Sequence, residues 1–214
     1  AEAEPAGSVL MLTGRAEFIE KYAEPAALLT SRGYVVYAFD WRGQGLSGRM
    51  LENRHMGYVG TFDDYLSDLN LIVDQVFLPD VPAPYVLLAH SMGGHVAFRY
   101  LHDAPGVFDK CVLSAPMFDI NTFPLPASLA RKFIRLQVDR GHDKSYMVGQ
   151  GDYYLNKKKF CFNPLTGDRK RFSDEKREIA KNPDLALGGV TFGWLSAAFD
   201  AIDHINAPGF AEDI

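Results

Sequence analysis

The sequence contains few cysteines, no long apolar run and no excess of positive charge. Two cysteines in 214 residues, Cys111 and Cys161, are too few for a disulfide framework, and no paired Cys or His spacing predicts a metal site. No apolar run approaches the roughly 20 residues of a membrane-spanning helix. The net charge of −5 argues against a general nucleic-acid binder, because a phosphate backbone selects a basic protein face. We therefore expect no metal, no cofactor and no nucleic-acid partner.

The N-terminus lacks the basic segment and apolar core of a signal peptide, so the default expectation is a cytoplasmic protein. A chain whose targeting segment has been removed would look the same. Hydrophobic residues make up 47% and charged residues 23% of the chain, which is typical of a globular protein. The length predicts one domain, with room for a large insertion.

Apolar segments alternate with helical patterns through the first half of the chain. Four short apolar runs predict strands, at 8–12, 34–39, 85–89 and 111–113, and the first three are expected to be buried. Three amphipathic patterns between them predict helices, at 18–31, 62–78 and 95–102. This alternation predicts an α/β fold with a mostly parallel sheet flanked by helices. The inward face of the second helix should carry Phe62, Tyr65, Leu66, Leu69, Ile72, Val73 and Val76.

The alternation stops after Met117. The segment 119–207 is rich in aromatic and charged side chains, and its helical patterns lie at 128–138 and 191–205. A segment this long without strands is more typical of an inserted subdomain than of a loop. We therefore divide the chain into a core at 1–118, an insertion at 119–207 and a return to the core at 208–214.

The segment from Ala89 to Gly93 carries the sharpest chemical signal. It joins a buried strand to a helix through a small-x-Ser-x-Gly turn, which is the pattern of a nucleophile elbow. Such a turn needs small residues because backbones crowd around it, and Ala89 and Gly93 occupy those positions. A serine in a small-residue turn can also arise by chance, but the strand before it and the helix after it favour Ser91 as a nucleophile, with His90 beside it in the elbow.

Acyl transfer also needs two N–H donors for the negatively charged oxygen of the tetrahedral intermediate, the oxyanion hole. One donor is the N–H of the residue after the nucleophile, here Met92, and the other should come from the loop after an earlier strand. The segment Thr13-Gly14-Arg15 follows the first strand, so we expect the Arg15 N–H to be the second donor. The alternative interpretation is that Gly14 is only a turn glycine.

Four segments in this order resemble the lysophospholipase and monoacylglycerol lipase group of α/β-hydrolases, which is also classed with the serine aminopeptidase-like hydrolases. They are 14–22, 39–48, 89–94 and 113–117, and segments 163–168 and 188–194 are similar to the cap region of the lysophospholipase L2 branch. The resemblance implies that Ser91 is the nucleophile and that the Arg15 and Met92 N–H groups form the oxyanion hole. It also implies a buttress loop at 40–48 and a cap at 119–207 over an acyl-binding pocket.

The catalytic acid and base of such an enzyme are not evident in the sequence. In this fold the order is Ser, then Asp or Glu, then His, and both partners are expected after Ile214. The opening hairpin of the family is also short here. We therefore hypothesise that these residues are a fragment that lacks the C-terminal strands and helices.

Residues within the chain that could serve as acid or base also have structural interpretations. His204, with Asp200 and Asp203, fits an ordinary amphipathic helix end better than a catalytic base. We expect His90 to line the pocket or to pack, because the elbow turns neighbouring side chains apart. Asp40 is expected to cap a turn or to pair with Arg42 rather than to act as the acid.

The expected partner is a small lipid-like ester, a lysophospholipid or a monoacylglycerol. Two alternatives stay open: an aminopeptidase of the proline iminopeptidase kind, with Asp152 or Asp168 as anchor for a substrate amine, and a non-catalytic protein with a hydrolase fold. Basic clusters at 157–159 and 169–171 could contact a membrane surface peripherally, although a solvated, charge-balanced face is the favoured interpretation.

Overall fold

The computed structural model describes residues 4–154, 159–163 and 166–214. Its strands form an all-parallel sheet in the order β2-β1-β3-β4. They are β1 Gly7–Leu12, β2 Tyr34–Phe39, β3 Tyr85–His90 and β4 Lys110–Ser114, each within one residue of its predicted ends. In register, Leu12 lies between Phe39 and Ala89, so the carboxyl ends of the strands meet at one edge of the sheet. This confirms the predicted α/β class.

Helices connect the strands. The first connection carries a 3-10 turn, Ile19–Tyr22, and α1, Ala23–Thr30. The second carries α2, Asp63–Ile72, a π-helical segment, Val73–Phe77, and the short α3, Leu78–Asp80. The third is α4, Met92–Asp103, which begins three residues earlier than predicted and directly after Ser91.

Burial differs between the central and edge strands. Strand β1 is buried along its whole length, whereas β2 is half-buried at every residue. In β4 exposed residues alternate with half-buried ones, and Val112 exposes 53% of its surface. The prediction of a buried strand is therefore wrong for β2, because β2, like β4, pairs with a described neighbour on one side only.

The π-helical segment after α2 changes which residues face the core. Phe62, Tyr65, Leu69 and Val73 are buried as predicted. At the next inward position Phe77 is fully buried, while Val76 is 41% exposed. A π turn inserts an extra residue, so the inward face shifts by one position and the prediction of Val76 as a core residue is wrong.

The segment 119–207 contains α5 Ala127–Asp139, α6 Arg169–Lys181 and α7 Phe192–Ile205. The sequence predicted α5 and α7 but missed α6, since Ile179 is its buried residue and so narrow an apolar stripe gives no clear period. Apolar side chains of α7 join the hydrophobic cluster of β1 and α2. The division into core and cap stays a prediction. No helix in the described part of the chain is long and apolar enough to cross a membrane.

Backbone hydrogen bonds join the segment before α7 to the loop before α2. Gly188 N donates to His55 O at 2.8 Å, Gly57 N to Gly189 O at 3.1 Å, and Thr191 N to Gly57 O at 3.1 Å. These contacts bring residues 188–194 next to the carboxyl edge of the sheet, where the loops after β1 and β3 lie.

Candidate active site

Ser91 occupies a strained turn between β3 and α4. Its φ of 52° and ψ of −117° are unfavourable for a residue with a side chain, so the surrounding contacts must hold it there. Ser91 N donates to Ser114 O at 3.1 Å, and its carbonyl accepts from Met117 N at 2.9 Å. The end of β4 thus fixes the backbone of Ser91 from both sides.

The small residues around Ser91 are required by the packing of the backbone. A Cβ on Gly93 would lie 2.5 Å from Thr13 O and 2.8 Å from Leu12 O. A Cβ on Gly94 would lie 2.9 Å from Cβ of Pro116. Ala89 is 1% exposed. These contacts place α4 directly against the end of β1. The N-terminus of α4 lies at Ser91 and carries free N–H groups and the positive end of the helix dipole.

The loop after β1 lies beside the elbow. A Cβ on Gly14 would be 3.1 Å from Cβ of Ser91 and 3.0 Å from Nδ1 of His90, so glycine is needed there for close approach and not only for a turn. The buried Gln44 holds this loop, since its Nε2 donates to Gly14 O at 2.7 Å and its Oε1 accepts from Ala16 N at 3.2 Å. Trp41 Nε1 donates to Thr13 O at 2.9 Å. The buttress loop therefore contacts the segment that should supply a donor.

Glu17 binds four groups around the elbow, a role that the sequence did not predict. Its Oε2 accepts hydrogen bonds from Gly14 N at 2.7 Å, from Tyr22 Oη at 2.6 Å and from His90 Nδ1 at 2.9 Å. Its Oε1 pairs with Lys21 Nζ at 3.0 Å. Because a carboxylate only accepts, these contacts require the Nδ1–H form of His90. Glu17 thus ties the loop after β1 to the elbow.

The pKa of Glu17 reflects this network. Burial by itself would raise the pKa, but the hydrogen bond from His90, the charge of Lys21 and the hydrogen bond from Tyr22 outweigh it. The pKa of Glu17 therefore lies well below its ordinary value, and the carboxyl group is ionised at neutral pH.

The two candidate oxyanion donors are both available. The N–H of Arg15 makes no hydrogen bond to the described residues, and Met92 is the first residue of α4, where an N–H has no acceptor within the helix. His90 projects to a cavity of about 280 Å³ that is also lined by Glu17, Tyr22, Leu88 and Ser114. Ser91 does not line this cavity, so the side chains of His90 and Ser91 face different surroundings.

The side chain of Arg15 extends away from Ser91 toward the segment before α7. Its Nη2 donates to Gly188 O at 2.9 Å, and its guanidinium carbon lies 5.3 Å from the ring centre of Trp194. The Nε atom is buried and has no hydrogen-bond partner, while the residue as a whole is partly exposed. Burial lowers the pKa of Arg15 to about 10, which leaves it charged at neutral pH.

Among the residues that the structure describes, no histidine side chain hydrogen-bonds to Ser91, and the bond from His95 N to Ser91 O belongs to the backbone of α4. His95 is buried against Phe62 and contacts Met117 O through Nδ1 at 3.0 Å, and burial lowers its pKa to about 4. His204 lies in the last turn of α7 with its ring 5.2 Å from that of Phe210. The nearby Asp200 and Asp203 form ion pairs with α5, at Arg135 and Arg131. These contacts favour structural roles for all three residues of the candidate set at the end of α7.

Asp40 caps the buttress loop. Its carboxylate accepts from Ile19 N at 3.0 Å and from Leu46 N at 2.8 Å, and burial raises its pKa. The alternative ion pair with Arg42 does not form, because Arg42 is bound to Asp64 and Asp68 of α2. A turn-capping role therefore accounts for Asp40.

The remaining charged candidates already have protein partners. Asp152 accepts from Tyr146 and Asn53, and Asp168 caps the N-terminus of α6. In the second basic cluster, Arg171 pairs with Glu24, Lys170 pairs with Asp174, and Arg169 stacks on Phe160. Of the first cluster, Lys157 and Lys158 lie outside the described residues.

Comparison with known proteins agrees with this arrangement. The family model described as "Serine aminopeptidase, S33" matches residues 3–209. The chain belongs to the serine aminopeptidase S33 family. This S33-family chain is 35% identical over 200 residues to lysophospholipase L2 of Escherichia coli, an alignment that covers 93% of the chain and 58% of that protein. It is 29% identical over 129 residues to a monoacylglycerol lipase of Mycolicibacterium smegmatis, covering 60% of the chain and 44% of that protein.

The fold of the S33-family chain is also found in solved structures. A soluble variant of monoglyceride lipase from Saccharomyces cerevisiae, in complex with a substrate analog, superposes with a TM-score of 0.69 and 17% identity, covering 98% of the chain and 64% of that structure. The chain thus has the α/β-hydrolase fold that the resemblance implied. It spans 58% of the length of its E. coli relative.

Proposed function

We propose that the protein carrying this chain hydrolyses carboxylic esters of single-chain lipids, lysophospholipids or monoacylglycerols, through an acyl-enzyme on Ser91. The observation that carries the proposal is the strained conformation of Ser91 at the start of α4, immediately beside Gly14 and the free N–H of Arg15. Strain of this kind persists where the surrounding structure enforces it, and it is typical of functional sites. The names of the relatives supply the substrate class.

In the proposed reaction, Ser91 Oγ attacks the ester carbonyl carbon, and a base takes the hydroxyl proton. The carbonyl oxygen becomes an oxyanion, which the N–H groups of Arg15 and Met92 stabilise together with the N-terminal end of α4. The tetrahedral intermediate then expels the alcohol, which takes up the proton, and leaves an ester on Ser91. Water attacks this ester in the same way and releases the fatty acid.

The base and its acid partner are proposed to come from residues outside this chain, after Ile214. In the described residues the known side-chain hydrogen bonds of the histidines all go to partners other than Ser91; they are those of His55, His90, His95, His102 and His142. We propose that residues 119–207 act as the cap over the acyl chain, and that any contact with a membrane is peripheral.

The alternatives have less support. An aminopeptidase would need an acidic side chain free to bind a substrate amine, and both Asp152 and Asp168 are already engaged within the protein. A non-catalytic protein would not need to maintain a strained serine beside two unused N–H donors.

Labelling with a fluorophosphonate probe tests the proposal, using the natural protein that contains this chain. We expect labelling that is lost in Ser91→Ala, and turnover of monoacyl lipid esters rather than aminoacyl anilides. Ser67→Ala, which removes a hydroxyl bonded to Asp63 O on α2, is the matched control and should still be labelled. No labelling of the natural protein would support the non-catalytic alternative, and preference for aminoacyl anilides would support the aminopeptidase.

A further inference from the structure

The partly buried side chain of Arg15 carries a guanidinium group without a counter-ion among the described residues. Among the residues that the structure describes, no carboxylate pairs with it, and its protein contacts are Gly188 O and the face of Trp194. The ionisable groups that face it are Tyr65 and Tyr146, which are neutral at pH 7. The buried Nε–H has no acceptor.

Two other arginines that link separate segments of the chain are neutralised by carboxylates, whereas Arg49 donates to backbone carbonyls of Asp184 and Ala186. Arg42 binds Asp64 and Asp68, and Arg131 stacks on Phe199 of α7 while it pairs with Asp203. Buried charges are ordinarily paired, because removing an ion from water is costly. A partly buried cation with a buried, unused Nε–H donor therefore indicates that an anion outside the described residues completes the site.

The position of Arg15 defines what that anion is. The residue follows Gly14, whose Cβ would nearly touch Ser91, and its own N–H is a proposed oxyanion donor. The guanidinium then lies three methylene groups further along the same side chain, where Gly57 leaves room for it: a Cβ there would be 2.7 Å from Nη2. A ligand held by both ends of Arg15 has an ester carbonyl near Ser91 and an anionic group several bonds away.

We propose that the Arg15 guanidinium binds the phosphate group of a lysophospholipid whose acyl ester is attacked by Ser91, and so selects phosphate-bearing lipids over neutral monoacylglycerols. In such a lipid the glycerol carbons separate the acyl ester from the phosphate, as the side chain of Arg15 separates its N–H from its guanidinium. Arginine suits this role because its planar fork of donors matches two phosphate oxygens. The inference rests on the proposed ester hydrolysis.

The test compares two lipids with the same acyl chain, 1-palmitoyl lysophosphatidylglycerol and 1-palmitoylglycerol, at equal mole fraction in neutral detergent micelles. We expect Arg15→Gln to lower the ratio of kcat/KM for the phospholipid over the neutral lipid at least tenfold, and Arg15→Lys to restore part of it. Arg131→Gln is the matched control, since it removes a guanidinium that also stacks on an α7 ring, and should leave the ratio unchanged.

A second measurement needs no variant. Glycerol 3-phosphate should competitively inhibit hydrolysis of p-nitrophenyl butyrate by the natural protein, whereas glycerol at the same concentration should not. Equal loss on both lipids in Arg15→Gln, or equal inhibition by glycerol and its phosphate, would overturn the inference and leave ester hydrolysis intact. Failure of the natural protein to hydrolyse any of the three esters would instead overturn the proposed function, and the inference with it.

Discussion

Replacing Glu17 with glutamine should loosen the loop after β1 and lower activity. The carboxylate holds Gly14 N, Tyr22 Oη, His90 Nδ1 and Lys21 Nζ at 2.6–3.0 Å. Glutamine keeps one acceptor oxygen but places an amide N–H₂ group where the second oxygen was. Lys21 retains its ion pair with Glu175 at 3.0 Å, so it is not left unpaired.

The magnitude follows from these contacts. Hydrogen bonds to charged groups contribute about 1 kcal/mol more than neutral ones, so three weakened bonds and a lost ion pair predict a loss of about 3 kcal/mol. For a domain of this size that corresponds to a decrease in Tm of about 6–12 °C. Because Gly14 precedes the proposed donor Arg15, we also expect kcat to fall roughly tenfold, a fraction of the loss seen when an oxyanion donor is removed outright.

Thermal unfolding of Glu17→Gln and of the natural protein between pH 3 and pH 7 measures the effect. The folded pKa of Glu17 is depressed, so its stabilisation is complete above the unfolded pKa of about 4.3 and is lost as pH falls below that value. The difference in Tm should therefore shrink toward pH 3. Glu24→Gln, which removes a solvent-exposed carboxylate paired with Arg171, is the matched control and should change Tm little. A Tm difference below 2 °C at pH 7, or one that is constant with pH, would refute the reasoning.

Three further substitutions follow from the packing and charge of the site. Gly93→Ala should destabilise the fold by about 1–3 kcal/mol, because its Cβ would overlap Thr13 O, whereas Gly48→Ala has open space and serves as the control in denaturant unfolding. His95 has a folded pKa of about 4, below its unfolded value of 6.5, so the free energy of unfolding should fall by about 3 kcal/mol as pH drops from 6.5 to 4. His95→Gln should flatten this pH dependence, and an unchanged slope would contradict the assignment of the effect to His95. Gln44→Leu removes the three side-chain hydrogen bonds to Gly14, Ala16 and Glu17 and should lower Tm and kcat together, while a loss confined to KM would argue against a role in fixing the loop.

Local patterns in the sequence are sufficient to place the strands along the chain and to identify the elbow. Buried strands and amphipathic helices have short repeats that are visible in one chain, and a strained Ser between a strand and a helix needs small neighbours that can be read directly. Polar side chains are harder to interpret from spacing: for Asp40 the sequence allows both a turn cap and an ion pair with Arg42, and the structure shows the cap. The extra residue of the π turn, which moved Phe77 into the core, has no repeat to reveal it.

The sequence by itself determined the α/β class and singled out Ser91 with its small neighbours, because these depend on residue spacing and on steric crowding within a few positions. Only the tertiary structure decided what surrounds the serine. Hydrogen bonds join Glu17 to His90, Gln44 to Gly14 and Arg15 to Gly188. These pairs are separated by 73, 30 and 173 positions in the sequence. A parallel sheet gathers such residues at one edge whatever their separation in the chain, so the polar network of the site, and the unpaired charge of Arg15 within it, leave no pattern in the sequence.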